Sequence, residues 1–278
     1  MKQMMKDGRK KDMMTKSELL EKTRVFLLDM DGTIYLDETP IGPMRETLSL
    51  LRQAGKKLVY CTNNSSKTPE EYIAKLRRIG FWSDEDMVYT SAIATAEYLK
   101  KYHPGKSAYI LATDEVRADF AKRGVRQDEK NPDLCVLAYD TSLDFAKMKK
   151  FNEFLSAGKF YVATHPDAVC PALPVSAPDV GSFIELFRCS SGRVPDVVCG
   201  KPYPVMGEAL SGLLGVGKEE IAMVGDRLHT DIRFANYNQF TAVLVLSGET
   251  TQKMLEGASD RPDIVLDSLN DLAPLLRE

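Results

Sequence analysis

Four carboxylates in two short stretches dominate the chemistry that this sequence could perform. Asp29 and Asp31 stand in Asp29-Met30-Asp31-Gly32-Thr33; Asp226 and Asp231 stand in Gly225-Asp226-Arg227-Leu228-His229-Thr230-Asp231-Ile232. Asp29 and Asp31 follow directly on the apolar run Val25-Phe26-Leu27-Leu28, so both side chains can point to one side while Met30 turns into the core. Two anions so placed repel, and either a cation between them or a proton held on one of them relieves the repulsion. A hard cation prefers oxygen ligands and recruits phosphate oxygens, whereas a protonated carboxyl can act as a general acid. Asp226 and Asp231 would add oxygen to the same cluster, which suits Mg²⁺, an ion that keeps several waters and takes few carboxylates directly. A single Asp after a strand is often only a turn former or helix cap. The larger set, which also has Thr62-Asn63 at the end of another apolar run and Lys201 in Gly200-Lys201-Pro202, is harder to read as independent caps. A buried acid cluster without a metal or catalytic role is costly.

The elements that must position these residues follow a repeated order of apolar run, turn, amphipathic helix and apolar run from Arg24 almost to the end, the pattern of a parallel sheet covered by helices. The fold class is therefore α/β. The first strand, Val25 to Leu28, is apolar throughout, as a strand buried on both faces should be. A helix is expected over Met44–Ala54, stopped by Gly55, and the next strand, Lys57–Cys61, runs into Thr62-Asn63-Asn64-Ser65-Ser66. Thr68, Pro69 and Glu71 start a further helix with a capping box, and Gly80 lies beyond its end. Its apolar face, Tyr72, Ile73, Leu76 and Ile79, reads as scaffold.

A second strand and helix series occupies residues 86–181: Ser107–Ala112, a helix near Glu115–Arg123, Leu134–Tyr139, a helix near Leu143–Ala157, then Phe160–Thr164. It reads as an inserted α/β domain, because the earlier pattern resumes with Val197–Cys199, Glu220–Val224 and Thr241–Leu246. The expected division is a basic tail over 1–17, a core over 18–85 and 182–278, and the insertion between them. In the tail, Lys2, Lys6, Arg9, Lys10, Lys11 and Lys16 oppose only Asp7 and Asp12, which reads as a solvated extension. Gly212-x-x-x-x-Gly217-Lys218 approaches a phosphate-binding loop, but Glu219 replaces the needed Ser/Thr and the segment precedes a strand instead of following one, so it reads as a helix-to-strand turn.

The formal charge of −3 leaves no global positive field to draw the chain to nucleic acid or an anionic membrane. No apolar run approaches the ~20 residues that span a bilayer, and a cytoplasmic protein is expected. Five cysteines without a Cys-x-x-Cys pair fit reduced thiols, and the three histidines are too scattered for a two-histidine metal face.

In order and content, the Asp29-to-Thr33, Thr62-to-Ser65, Gly200-to-Pro202 and Gly225-to-Ile232 motifs resemble those of the haloacid-dehalogenase superfamily, most of all its NagD/p-nitrophenylphosphatase branch. The resemblance implies a Rossmann-like core with an inserted cap and a phosphatase using Mg²⁺. Asp29 would be nucleophile and metal ligand; Asp31 would lend the metal its backbone carbonyl and serve as acid, then base. Thr62, Asn63, Lys201 and Arg227 would bind the phosphoryl group, and Asp226 and Asp231 would complete the metal site. Thr164-His165-Pro166-Asp167 resembles the cap segment that reaches toward substrate in that branch, making His165 and Asp167 candidates for specificity, beside the plainer reading of a Pro-shaped turn. After Ile232 the chain departs from the family pattern with Arg233-Phe234-Ala235-Asn236-Tyr237-Asn238, where relatives have a smaller, glycine-containing turn. The implied partner is a small phosphorylated metabolite, such as a sugar phosphate, p-nitrophenyl phosphate or a nucleotide; the alternatives are a sugar-phosphate phosphotransferase or mutase and a catalytically silent metabolite-binding regulator. The sequence leaves room for a homo-oligomer.

Overall fold

The computed structural model describes residues 13–171 and 175–277. A six-stranded parallel sheet forms the core, with strands in the spatial order Ile264–Leu266, Thr241–Val245, Ile221–Gly225, Val25–Leu28, Lys57–Thr62, Met87–Thr90. The first strand of the chain lies at the centre. Leu28 pairs with Val224 on one side and Tyr60 on the other, so the chain leaves three adjacent strands at one edge with Asp29, Asp226 and Thr62 as neighbours. In open parallel sheets this carboxyl edge is where ligands bind.

Strand alternation divides the apolar residues between the two faces. Val25, Leu27, Val59, Cys61 and Met223 pack with the helices Ser91–Tyr102 and Pro204–Leu214; Phe26, Leu28, Leu58, Tyr60 and Val224 pack with Met44, Leu48, Leu51, Tyr72 and Leu76. Both faces are thus dry, which accounts for the unbroken apolar run at Val25. Truncating the wholly buried Phe26 to Ala should cost about 3–5 kcal/mol.

A second parallel sheet has the order Val197–Val198, Phe160–Ala163, Leu134–Leu137, Ser107–Leu111, Arg126–Gln127. Two strands fall differently from the sequence reading. Met87–Thr90 lies beyond the expected boundary at residue 85 yet closes the edge of the core sheet, Thr90 pairing with Thr62. Val197–Val198 does not resume the core: it joins the second sheet, where Asp196 exchanges hydrogen bonds with Tyr161, Asp196 N to Tyr161 O and Tyr161 N to Asp196 Oδ2, both 2.7 Å. A short apolar run carries no label for the sheet it will join; here the polar pair ahead of it sets the register. A two-strand antiparallel hairpin, Val169–Cys170 with Ala177–Pro178, projects from the second sheet over the core edge.

Local signals behave as their chemistry demands. Glu71 and Thr68 exchange capping hydrogen bonds at the start of Pro69–Arg78, and Gly80 ends it at φ +75°. Gly212 lies inside the helix Pro204–Leu214, Gly215 at φ +65° ends it, and Gly217 leads through a short turn at Lys218–Glu220 into Ile221–Gly225, so the segment from Gly215 on is the helix-to-strand turn. Residues 1–12 of the expected tail lie outside the described residues. From Met14 the chain is fixed: Met14 N donates to Asp263 O at 2.9 Å, and Thr15 caps the helix Lys16–Lys22. The Arg233–Asn238 stretch forms a helix whose Asn238 is buried against Gly207, where a Cβ would collide with the amide.

Candidate active site

At the carboxyl edge, one carboxylate oxygen each from Asp29, Asp226 and Asp231 lies within 4.8 Å of the others. Asp29 leaves the central strand, and Asp226 follows directly on the adjacent one. Asp231 returns from the next turn, Leu228–Ile232, where its Oδ2 accepts from Arg227 N at 3.2 Å. Glycines make the space: a Cβ at Gly32 or Gly248 would strike the Asp226 carboxylate, and one at Gly225 would strike Asp231. Gly32 also sits at φ +83°, a backbone that other residues rarely adopt, and its carbonyl accepts from Ser247 Oγ at 2.8 Å.

Lys201 enters this cluster from the opposite side. Its Nζ donates to Asp29 Oδ1 and Asp231 Oδ1, each at 2.7 Å, and to Cys61 O at 3.2 Å, with the side chain only 1% exposed. Burial works against its charge, but Asp231 and Asp29 outweigh burial and hold the ammonium above its ordinary range. The acids are not fully compensated. Burial pushes the Asp226 carboxyl up to about 7, with Asp29 and Asp231 adding to the shift and the Glu249 N–H opposing it. Burial raises Asp29 as well, against the pull of Lys201. An oxygen-rich, over-negative pocket with glycine-cleared space is a donor set fitted to a hard divalent cation. Because Lys201 and Arg227 N already hold its two oxygens, Asp231 is better placed to brace such a site than to dominate it.

The Asp31 carboxylate is not in the trio. It is exposed to the cavity, and its carboxyl is raised by partial burial and by Asp29, opposed by Lys75. A side-chain metal ligand at Asp31 is therefore not what the geometry favours; Asp31 lines the cavity outside the trio.

Asn63 lines the cavity beside Thr62. Its amide pairs with the Lys201 backbone, and Nδ2 also approaches both oxygens of Asp167, at 3.2 and 3.1 Å. The side chain is thus committed to protein partners. Thr62, nearly buried, accepts from Asn64 N at 3.1 Å and lines the cavity. Asp167 reaches the cavity, but His165 does not: its ring is fully buried, with Nε2 3.0 Å from Asp179 Oδ1 and Nδ1 3.1 Å from Thr164 Oγ1. As a substrate contact His165 is corrected: its neighbours pull the ring into the joint between the two sheets, where Ser65 and Ser91 hydroxyls lie 3.5 and 3.4 Å from Nδ1.

The cavity above these groups holds about 240 Å³. Val169, Cys170 and Pro171 of the hairpin roof it, and Arg227, held by Glu249 at 3.0 Å, closes one side. The sequence reading missed Tyr35, Lys67, Tyr72 and Lys75, which also line the cavity. Tyr72 and Lys75 are one helical turn apart just after the Thr62–Ser66 loop, and that spacing was the available signal.

Residues 26–126 match the family model for haloacid dehalogenase-like hydrolases, and residues 198–272 match a HAD-hydrolase-like model. Among solved structures, a 4-nitrophenylphosphatase from Thermotoga maritima is 41% identical, with 92% of this chain and 98% of that one covered and a TM-score of 0.88. A glycerol phosphate phosphatase from Mycobacterium tuberculosis, in complex with magnesium, is 27% identical, with 92% and 78% covered and a TM-score of 0.85. An acid sugar phosphatase of Staphylococcus aureus is 28% identical over 253 residues, 91% of this chain and 97% of its own length. The chain belongs to the haloacid dehalogenase-like hydrolases. Within them it is an enzyme of the NagD/p-nitrophenylphosphatase-like branch, a phosphoric monoester hydrolase.

Proposed function

We propose that this enzyme hydrolyses small phosphomonoesters, sugar phosphates among them, in a Mg²⁺-dependent reaction that passes through an aspartyl phosphate on Asp29. The observation that carries the reading is the clamp of Lys201 between Asp29 and Asp231 beside the buried Asp226. Its ammonium pulls the Asp29 carboxyl toward ionisation against burial and holds it in place while leaving it partly open to the cavity.

An Asp29 carboxylate oxygen bonds to phosphorus as the bond from phosphorus to the leaving oxygen breaks, and Asp31 gives its proton to that oxygen. Asp31, now a carboxylate, takes a proton from water as the water oxygen bonds to phosphorus and the bond to Asp29 breaks, releasing phosphate. Lys201 and the Thr62 hydroxyl stabilise the charge on the transferring group, and Arg227 holds the cavity side. Asp29, Asp226 and the Asp31 carbonyl would hold Mg²⁺, with Asp231 bracing them. When bound, the ion withdraws negative charge from the phosphoryl oxygens.

A cavity of about 240 Å³ is small beside the ~300–1,000 Å³ of drug-sized sites, which supports a compact metabolite over a polymer. A panel of phosphorylated metabolites assayed for phosphate release with and without Mg²⁺ tests the reading. Release equal to ester consumed supports hydrolysis; ester consumed with phosphate passed to a sugar hydroxyl supports a phosphotransferase.

A further inference from the structure

The cavity's cations are not equally matched. Lys201 has two carboxylates at 2.7 Å, and Arg227 has Glu249 at 3.0 Å. Lys67 and Lys75 line the same cavity, and neither has a carboxylate within 4.0 Å among the described residues. Lys75 is half-buried, with its Nζ 4.0 Å above the Tyr35 ring. The ring contact and the cavity lining place the ammonium at the cavity. Burial depresses its charge, and Lys67 repels it further; Asp31, Glu38 and Asp37 oppose that from beyond pairing distance. Glu38 is already paired with Arg78. Two like charges facing one small cavity, one of them partly desolvated and neither neutralised at contact distance, form a site that gains most when an anion enters between them.

We infer that Lys67 and Lys75 form a second anion subsite in this cavity, so that the preferred substrate is a compact phosphomonoester carrying a further anionic group, a carboxylate or a second phosphate. This rests on the phosphatase reading for the placement of the reacting phosphoryl group at Asp29 and Lys201, but not on turnover for its test. The cavity-lining carboxylates outside the Asp29 cluster, Asp31, Asp37, Asp167 and Asp179, argue against an anion, and the Lys67–Lys75 pair must outweigh them. The cavity's size limits the two anions to the ends of a short carbon skeleton.

The test compares the binding of 3-phosphonopropionate and propylphosphonate, which differ by one carboxylate, to the Mg²⁺-loaded enzyme by titration calorimetry. The wild type should bind the carboxylate-bearing phosphonate about tenfold more tightly, an advantage of about 1.4 kcal/mol. Lys75→Met and Lys75→Gln should each erase most of that ratio, and Lys67→Met should reduce it. Propylphosphonate affinity in the same samples reports whether the fold and the phosphoryl site survive. Equal binding of the two phosphonates by the wild type, or a ratio unmoved in all three variants, overturns the subsite. Turnover of p-nitrophenyl phosphate by the same wild-type sample separates the two ideas: turnover without discrimination removes the subsite alone, and discrimination without turnover removes the phosphatase reading alone.

Discussion

Asn63 grips the backbone of Lys201 with both ends of its amide: Oδ1 accepts from Lys201 N at 2.8 Å and Nδ2 donates to Lys201 O at 2.8 Å. The two residues are 138 positions apart, so this pairing brings the lysine loop onto the end of the Lys57–Thr62 strand. Gly200 allows it, since a Cβ there would collide with Asn63 Oδ1 and Thr164 O. Asn63→Ala would leave a buried N–H and C=O without their partner, at about 1–3 kcal/mol for each unpaired group. Chemical denaturation should show that loss, and kcat should fall because Lys201 is no longer held in register. Unchanged stability would mean that the loop is fixed by other contacts.

Lys201→Met tests the ammonium itself. It leaves Asp29 and Asp231 facing each other without their shared cation, a change of the kind that costs about 3–5 kcal/mol when a buried pair is broken. Removing a charge-stabilising donor from a reacting site lowers kcat by about 10²–10³. Steady-state kinetics on p-nitrophenyl phosphate should show the loss mainly in kcat. A fall confined to KM would assign Lys201 to ground-state binding only.

Metal and pH should act on stability together. The folded Asp226 carboxyl titrates at about 7, above its ordinary value of 3.8, so between those limits the folded state holds a proton that the unfolded chain has lost. Metal-free stability therefore falls as pH rises through this window, by up to about 1.4 kcal/mol per pH unit. Asp29, raised by burial, acts in the same direction. Depressed carboxyls such as Asp133, at about 2, lose their contribution only under more acidic conditions. In a chelator, urea midpoints should be higher at pH 6 than at pH 8, and excess Mg²⁺ should recover most of the loss at pH 8. A chelated enzyme equally stable at both pH values would contradict the over-negative site.

His165→Ala separates a joint residue from a substrate contact. The ring's partners Asp179, Thr164, Ser65 and Ser91 belong to both sheets and their connections, so removing it should cost about 1–3 kcal/mol of stability. The order of preference across a substrate panel should stay the same, because the ring does not line the cavity. A reordered preference with stability intact would return His165 to the substrate.

Much of the site was legible because strand ends in a parallel sheet face one edge. Once Val25–Leu28 is read as central, Asp29, Thr62 and Asp226 must be neighbours. Lys201 was legible only through its motif, since nothing in Gly200-Lys201-Pro202 says that Asn63 will hold its backbone. The sheet taken by Val197–Val198 and the core position of Met87–Thr90 were hidden, because partner choice depends on long-range register and not on local pattern. The inward turn of His165 was hidden for a related reason: three of its four polar partners, Ser65, Ser91 and Asp179, are distant in sequence. Lys75 was obscured because its helix reads as scaffold, whereas Tyr72 of that apolar face and Lys75 one turn on border the cavity.

The most direct measurement is acid-quench trapping with ³²P-labelled p-nitrophenyl phosphate, followed by peptide mapping of the denatured protein. Covalent label should appear transiently on the peptide that contains Asp29, labile to hydroxylamine as an acyl phosphate is, and should be absent from Asp29→Asn. Turnover with no covalent label at any quench time, or label on a different residue, would contradict nucleophilic attack by Asp29.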